Sequence, residues 1–224
     1  MKRSKSVRAL ACALIGATMF AALPALAQEK KPKIVFFLVD NTGWGDFGVY
    51  GGTTATPRID KLASEGIRFN NYNVEVQCTQ SRSGIMTGRH PVRTGTYSLM
   101  PKLGQVFGLT PWEYTIAELL SDAGYATALY GKWHLGNTQG RLPNDQGFDE
   151  WWGIPNSWDE SGYTAWPLFK ESGVPVPMIL EGVKGQPSKP VMPLDLKVRP
   201  IVDEKYIVPK TIEYLKKNAA AKKP

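Results

Sequence analysis

The 224-residue sequence is poor in cysteine and histidine, with two of each. Two cysteines exclude a disulfide scaffold and a cysteine-based zinc module. No short repeat organises the glycines and prolines, so collagen-like and low-complexity chains are excluded. After residue 27 there is no apolar run long enough to span a bilayer. There is also no basic cluster with interleaved aromatics, so the formal charge of +7 lacks the pattern of a nucleic-acid binder. What remains is ordinary globular composition, 42% hydrophobic and 21% charged.

The excess charge has a local origin. Lys2, Arg3, Lys5 and Arg8 precede an apolar run from Ala9 to Leu23, and Ala25-Leu26-Ala27 follows Pro24 as a small-x-small site. Basic, apolar and small-residue regions in that order read as a secretory signal peptide over 1–27, rather than a stable membrane anchor. Its removal takes away four basic and no acidic residues, which lowers the charge from +7 to +3. Cys12 leaves with it, so the remaining 28–224 chain holds Cys78 as its only thiol. In an oxidising compartment, secreted or periplasmic, a single thiol has no internal partner.

The rest alternates strand and helix patterns. Lys33–Asp40 (KIVFFLVD) is a continuous apolar run suited to a strand buried on both faces. Helices are expected over Arg58–Glu65, Ser81–Thr87 and Thr115–Ala123, each followed by a glycine, and over Asp203–Ala221. Further strands are expected at Ile67–Val76 and Tyr125–Tyr130. The pattern predicts an α/β fold with a mostly parallel sheet and helices on both faces. Residues 153–202 show no periodicity, and eight of the seventeen prolines fall between Pro167 and Pro209, so a long proline-rich excursion is expected there.

Chemistry concentrates at three places. Asp40-Asn41 ends the first predicted strand, where ligands of open α/β sheets bind. A carboxylate beside an amide carbonyl suits a hard cation, although Asp-Asn after a strand also serves as a plain turn. Cys78 lies where a loop enters a helix, with Arg82 four residues on and on the same face. A thiol near a helix N-terminus and an arginine has a lowered pKa and nucleophilic character. Its polar neighbours favour that reading over an inert buried cysteine. Lys132 and His134 follow the third predicted strand and share a side if the extended backbone continues. Together they could hold an anion and move a proton, or they could simply face solvent at a strand end.

These places occur in an order that resembles the N-terminal part of the sulfatase family, within the alkaline-phosphatase-like superfamily. The segments carrying the resemblance are 34–52, 56–72, CTQSRSGIMTGRHPVRTG at 78–95, GKWHLG at 131–136 and GFDEWWG at 147–153. The resemblance implies hydrolysis of aryl or carbohydrate sulfate esters. It implies that a sulfatase-modifying enzyme oxidises Cys78 to Cα-formylglycine, whose aldehyde hydrate attacks sulfur. The alcohol then leaves, and the second hydroxyl expels sulfate as the aldehyde re-forms. Arg82 would hold the hydrate, Lys132 the sulfate oxygens, and His134 would orient or deprotonate the hydrate. Asp40, Asn41 and the modified Cys78 would ligate Ca²⁺, with Mg²⁺ less favoured.

The chain departs from the family pattern in three ways. Gln80 stands where the signature has proline, part of what the modifying enzyme recognises. Asn41 stands where many members have aspartate, which lowers the charge offered to a metal. After His134 no further Asp-Asn pair with a histidine and lysine follows. The expectation is therefore a sulfatase fragment without substantial activity alone. Alternatives are a phosphonate or phosphate ester hydrolase of the same superfamily, or an inactive remnant. Trp151, Trp152, Trp158 and Trp166 could stack on a substrate ring or cover the core.

Overall fold

The computed structural model describes residues 31–98 and 106–224, so the predicted signal peptide lies outside the described residues. The chain divides into two units. Of the first, Met1–Val35, residues 31–35 are described and contain no helix or strand. The second, Phe36–Pro224, holds all regular structure described below.

The helices form where local chemistry specifies their ends. Helix α1, Pro57–Glu65, opens on a proline whose missing N–H costs nothing in the first turn. Helix α2, Cys78–Thr87, closes on Gly88 at φ 64°, a left-handed conformation natural to glycine. A single turn, α3, Pro91–Thr94, follows. Helix α4, Ile116–Asp122, opens with a capping box: Glu118 N–H donates to the Thr115 hydroxyl at 3.1 Å, and Thr115 N–H donates to the Glu118 carboxylate at 2.7 Å. Helix α5, Val208–Ala220, continues from a π-turn over Asp203–Ile207 in which Val208 N–H donates five residues back to Asp203. That turn lies just before Pro209, which has no N–H for an ordinary α-helical bond.

One four-stranded sheet has the order β1-β2-β3-β4, with β1 Ala128–Lys132, β2 Glu150–Ile154, β3 Met178–Val183 and β4 Lys189–Pro193. The α/β class is as expected, but the sheet is mixed: β1 and β2 are parallel, and the two remaining pairings are antiparallel. The antiparallel part comes from 153–202, where β3 and β4 form a hairpin that proline density hides in the sequence. Pro190 and Pro193 both fall in β4, an edge strand that tolerates a missing donor.

Two expected strands are absent. Residues 33–39 and 67–76 contain no strand, and Phe36, Phe37 and Val76 are 65, 79 and 98% exposed. An apolar run becomes a buried strand only when neighbours satisfy its backbone and cover both faces. Among the described residues no strand pairs with either segment.

The sheet separates two apolar clusters by strand alternation. Trp152 and Ile154 pack with Ile179, Leu194 and Val202. Met86, Leu109, Ala117, Trp133 and Leu135 form the other cluster, with Leu129 against it. Trp151 and Trp152 are core residues at 2% exposure, and Trp158 packs on the first-named cluster, whereas Trp166 is exposed. Gly131 and Gly153 face each other across β1 and β2, and a Cβ on Gly153 would overlap the Gly131 carbonyl. Glycine is therefore required where the two strands approach just before Lys132.

Beyond α2, Arg89 grips the buried Glu113 carboxylate, with Nη1 2.5 and 2.6 Å from its two oxygens. Replacing Arg89 with alanine strands that carboxylate. Because Arg89 itself is half-exposed, the expected loss is about 2 kcal/mol, below the cost of breaking a fully buried pair, measured by urea denaturation.

Candidate active site

Strands β1 and β2 are parallel, so their carboxyl ends emerge together. Lys132 is the last residue of β1, and Ser157 lies three residues past the end of β2. Helix α2 points its first turn at the same place. Cys78 is its first residue, three residues earlier than the sequence pattern placed the helix start. Gln77, which precedes it, makes no side-chain cap bond.

Asp40 is the hub. Its Oδ2 lies 2.9 Å from Lys132 Nζ and 3.3 Å from Arg82 Nη2, and its Oδ1 is 3.8 Å from Cys78 Sγ. Arg82 also donates to the Lys132 carbonyl, which ties α2 to the end of β1. The Lys132 and Arg82 side chains are 4 and 11% exposed, so Asp40 is the counter-ion of two nearly buried cations. Partial burial by itself would raise the Asp40 carboxyl. The Lys132 hydrogen bond and charge, with the Arg82 charge, outweigh it and hold the carboxyl below its ordinary value.

His134 is buried at 3% exposure, and neither ring nitrogen has a hydrogen-bond partner among the described residues. Its backbone takes φ 58°, so the extended conformation assumed from the sequence does not continue past β1. Even so, Lys132, Arg82, Asp40 and Asp159 all act on it electrostatically. Burial first, then the Lys132 and Arg82 charges, push its pKa down to about 4. The imidazole is therefore neutral near pH 7, with one nitrogen able to accept a proton and the other able to donate.

Between pH 6.5 and about 4 the unfolded chain takes up a proton that folded His134 refuses. Stability is accordingly full above pH 6.5 and falls toward pH 4, by up to about 3 kcal/mol. A His134→Gln variant should lose that part of the pH dependence in chemical denaturation curves.

Asn41 directly follows Asp40 in the chain. It is exposed and has φ 54°, one of three non-glycine residues in the left-handed region among the described residues, with His134 and Lys222. No group of three His, Cys, Asp or Glu side chains is placed to hold a metal among the described residues. Calcium takes six to eight oxygens, and Asp40 Oδ2 is already paired with two cations. Among the described residues the cluster therefore supplies only part of a calcium coordination sphere.

The position of Cys78 is different in kind. It is a free, half-buried thiol at a helix start, beside Arg82 and Asp40, and a small polar group at that atom fits the surroundings. Gln80, at the position of the signature proline, donates to the Tyr97 carbonyl at 2.8 Å and to Gln77 at 3.2 Å. A proline could make neither bond.

Ser157, Asp159 and Glu160 are the residues that sequence reasoning missed. Lys132 Nζ donates to Ser157 Oγ at 3.3 Å, and Ser157 Oγ lies 2.8 Å from Asp159 Oδ2. Glu160 is buried behind them and accepts from Asn156 at 3.1 Å; burial raises its pKa despite that bond. Ser-x-Asp after a strand is a side-chain turn signal, but without the β2 boundary nothing marks it as lying at the site.

Known proteins share this arrangement of chain. The sulfatase family model matches residues 32–224. Human arylsulfatase A is 42% identical over 146 residues, covering 63% of this chain and 29% of its own. Human N-acetylgalactosamine-6-sulfatase is 39% identical over 141 residues, covering 59% of this chain and 27% of its own. Among solved structures, the PsFucS1 sulfatase from Pseudoalteromonas sp. superposes with a TM-score of 0.73 at 33% identity, covering 84% of this chain and 41% of that one. The chain thus spans less than a third of the length of those two curated relatives. A family match over most of the sequence, joined to the shared fold, establishes that the chain belongs to the sulfatase family.

Proposed function

We propose that the chain carries the nucleophile side of an exported sulfatase active site, acting on a small-molecule or glycan sulfate ester. The observation that carries this reading is the cluster of Cys78, Arg82 and Lys132 around Asp40, with His134 buried beside it and short of partners. Two nearly buried cations make a pre-organised anion site, since their N–H groups are fixed before an oxyanion arrives.

In this reading, formylglycine derived from Cys78 by a sulfatase-modifying enzyme supplies an oxygen nucleophile for attack at sulfur. Arg82 orients the group at position 78, four residues along the same helix face. Lys132 holds a sulfate oxygen and offsets the charge that builds on it. Neutral His134 holds or accepts a proton at one ring nitrogen. Asp40 keeps both cations in place. Asp40 and Asn41 are proposed as two oxygen donors, with position 78 as a third, to a divalent cation, calcium before magnesium. Further donors are required, and Asn41 supplies no charge.

Export to the periplasm or exterior rests on residues 1–27. No helix among the described residues is long and apolar enough to cross a membrane.

Inorganic sulfate tests the anion site without requiring turnover. Sulfate binding followed by tryptophan fluorescence should weaken about ten- to a hundredfold in Lys132→Ala, the scale of one charge-assisted hydrogen bond. Equal affinity in the two proteins removes Lys132 from the site. Faster hydrolysis of an aryl phosphate than of the matching aryl sulfate would favour the phosphate or phosphonate ester alternative.

A further inference from the structure

Lys132 sits under an unusual constraint. Its ammonium is almost completely buried, and a buried ammonium needs its N–H groups matched to acceptors. One N–H goes to Asp40 at 2.9 Å and one to Ser157 Oγ at 3.3 Å. A serine hydroxyl has one proton and two lone pairs, so it serves a cation only if its own proton points elsewhere.

Asp159 settles that direction. Its Oδ2 accepts the hydrogen bond of Ser157 Oγ at 2.8 Å. The Ser157 proton must therefore go to Asp159, leaving both lone pairs to receive. One faces Lys132, and the other receives the Asp159 backbone N–H at 3.4 Å. Ser157 is also the cap of the 3₁₀ segment Trp158–Ala165, so the same contacts fix the loop that carries them. Other charged groups nearby are Arg82, Asp40, Glu160 and, when protonated, His134. The Ser157 hydroxyl meets Lys132 and Asp159 instead.

We propose that Asp159 is a positioning residue for Lys132, acting through the Ser157 hydroxyl. It sets the direction of that hydroxyl and so fixes where the ammonium presents its remaining donor. The proposal rests on the anion-binding reading of Lys132 for its purpose, but not for its geometry.

The test separates charge from hydrogen bonding by comparing two neutral variants, Asp159→Asn and Asp159→Ala. Both remove a negative charge from the edge of the anion site. Only Asn keeps an acceptor for the Ser157 proton. Two properties are read in the intact chain: the ¹⁵N relaxation order parameter of the Lys132 ammonium, and the affinity for inorganic sulfate.

In the expected result Asp159→Asn retains an ordered ammonium and binds sulfate at least as tightly as the unchanged chain. Asp159→Ala has a mobile ammonium and binds sulfate about tenfold more weakly than Asp159→Asn, the scale of one charge-assisted bond. Equal ammonium order in the two variants overturns the proposal. Ser157→Ala guards against a folding artefact, because it cuts the same link one step nearer. It must also loosen Lys132, and unchanged order there overturns the proposal as well. If no protein in the series binds sulfate, the anion-site reading fails, while the difference in ammonium order still decides the relay.

Discussion

Whatever hydrolysis the chain sustains on an aryl sulfate is expected to fall on the order of 10⁴-fold or more when Cys78 is replaced by alanine. Sulfate binding should survive the same change. The cations that would hold the anion are Arg82 and Lys132, both anchored on Asp40 rather than on the thiol. That split, with chemistry lost and binding kept, is the signature of a nucleophile as opposed to a structural residue. The tryptic peptide Phe69–Arg82 reports the same position directly. Conversion of Cys78 replaces its thiol with a hydrazide-reactive aldehyde. An unmodified thiol from cells that possess the modifying enzyme would mean that Gln80 blocks conversion. Undiminished hydrolysis by Cys78→Ala would remove Cys78 from the mechanism altogether.

Replacing Asp40 with alanine should have the largest effect on stability. Lys132 and Arg82 would then face each other in a nearly buried setting without their shared counter-ion. Breaking a buried pair from one side costs about 3–5 kcal/mol. The Asp40 side chain is 28% exposed, so water recovers part of that, and a loss of about 3 kcal/mol is expected. Urea denaturation of Asp40→Ala against the unchanged chain measures it. The pH dependence has a definite sign. The folded carboxyl titrates below its ordinary value of 3.8, so its stabilisation is fully present above that value. It is lost as pH falls through the lower folded value. Asp40→Ala should lack this acid limb and keep the His134 limb at higher pH. Equal stability of the two proteins at neutral pH would show that the cations do not depend on Asp40.

The helices were legible because their ends are written locally. Gly88 stops α2, and Thr115 with Glu118 starts α4, without help from distant residues. Strands are not local objects. KIVFFLVD has the composition of a central strand but no paired strand among the described residues, whereas proline-laden 189–193 is a strand because β3 lies beside it. The same distinction divides the site. Asp40, Cys78, Arg82 and Lys132 stand in recognisable motifs, and three of the chain's segments bring them together around one carboxylate. Ser157 and Asp159 reach Lys132 only because β1 and β2 run parallel, a pairing invisible to single-segment reading. His134 reaches the cluster by a backbone route opposite to the assumed one, since a left-handed residue rather than strand alternation turns it inward.

The mixed sheet has two unlike borders. On the outer side, β4 offers Pro190 and Pro193, which cannot donate, and Lys189, whose charge resists apposition of another strand. At the opposite border of the described sheet lies β1, which has no proline and has Lys132, its side chain buried, as its final residue. Any polypeptide that lengthens this sheet by strand addition is therefore steered to the β1 border. There its register is set against Ala128–Lys132, and the same event that completes the hydrogen-bond ladder alters the walls around Lys132 and its Asp40 counter-ion.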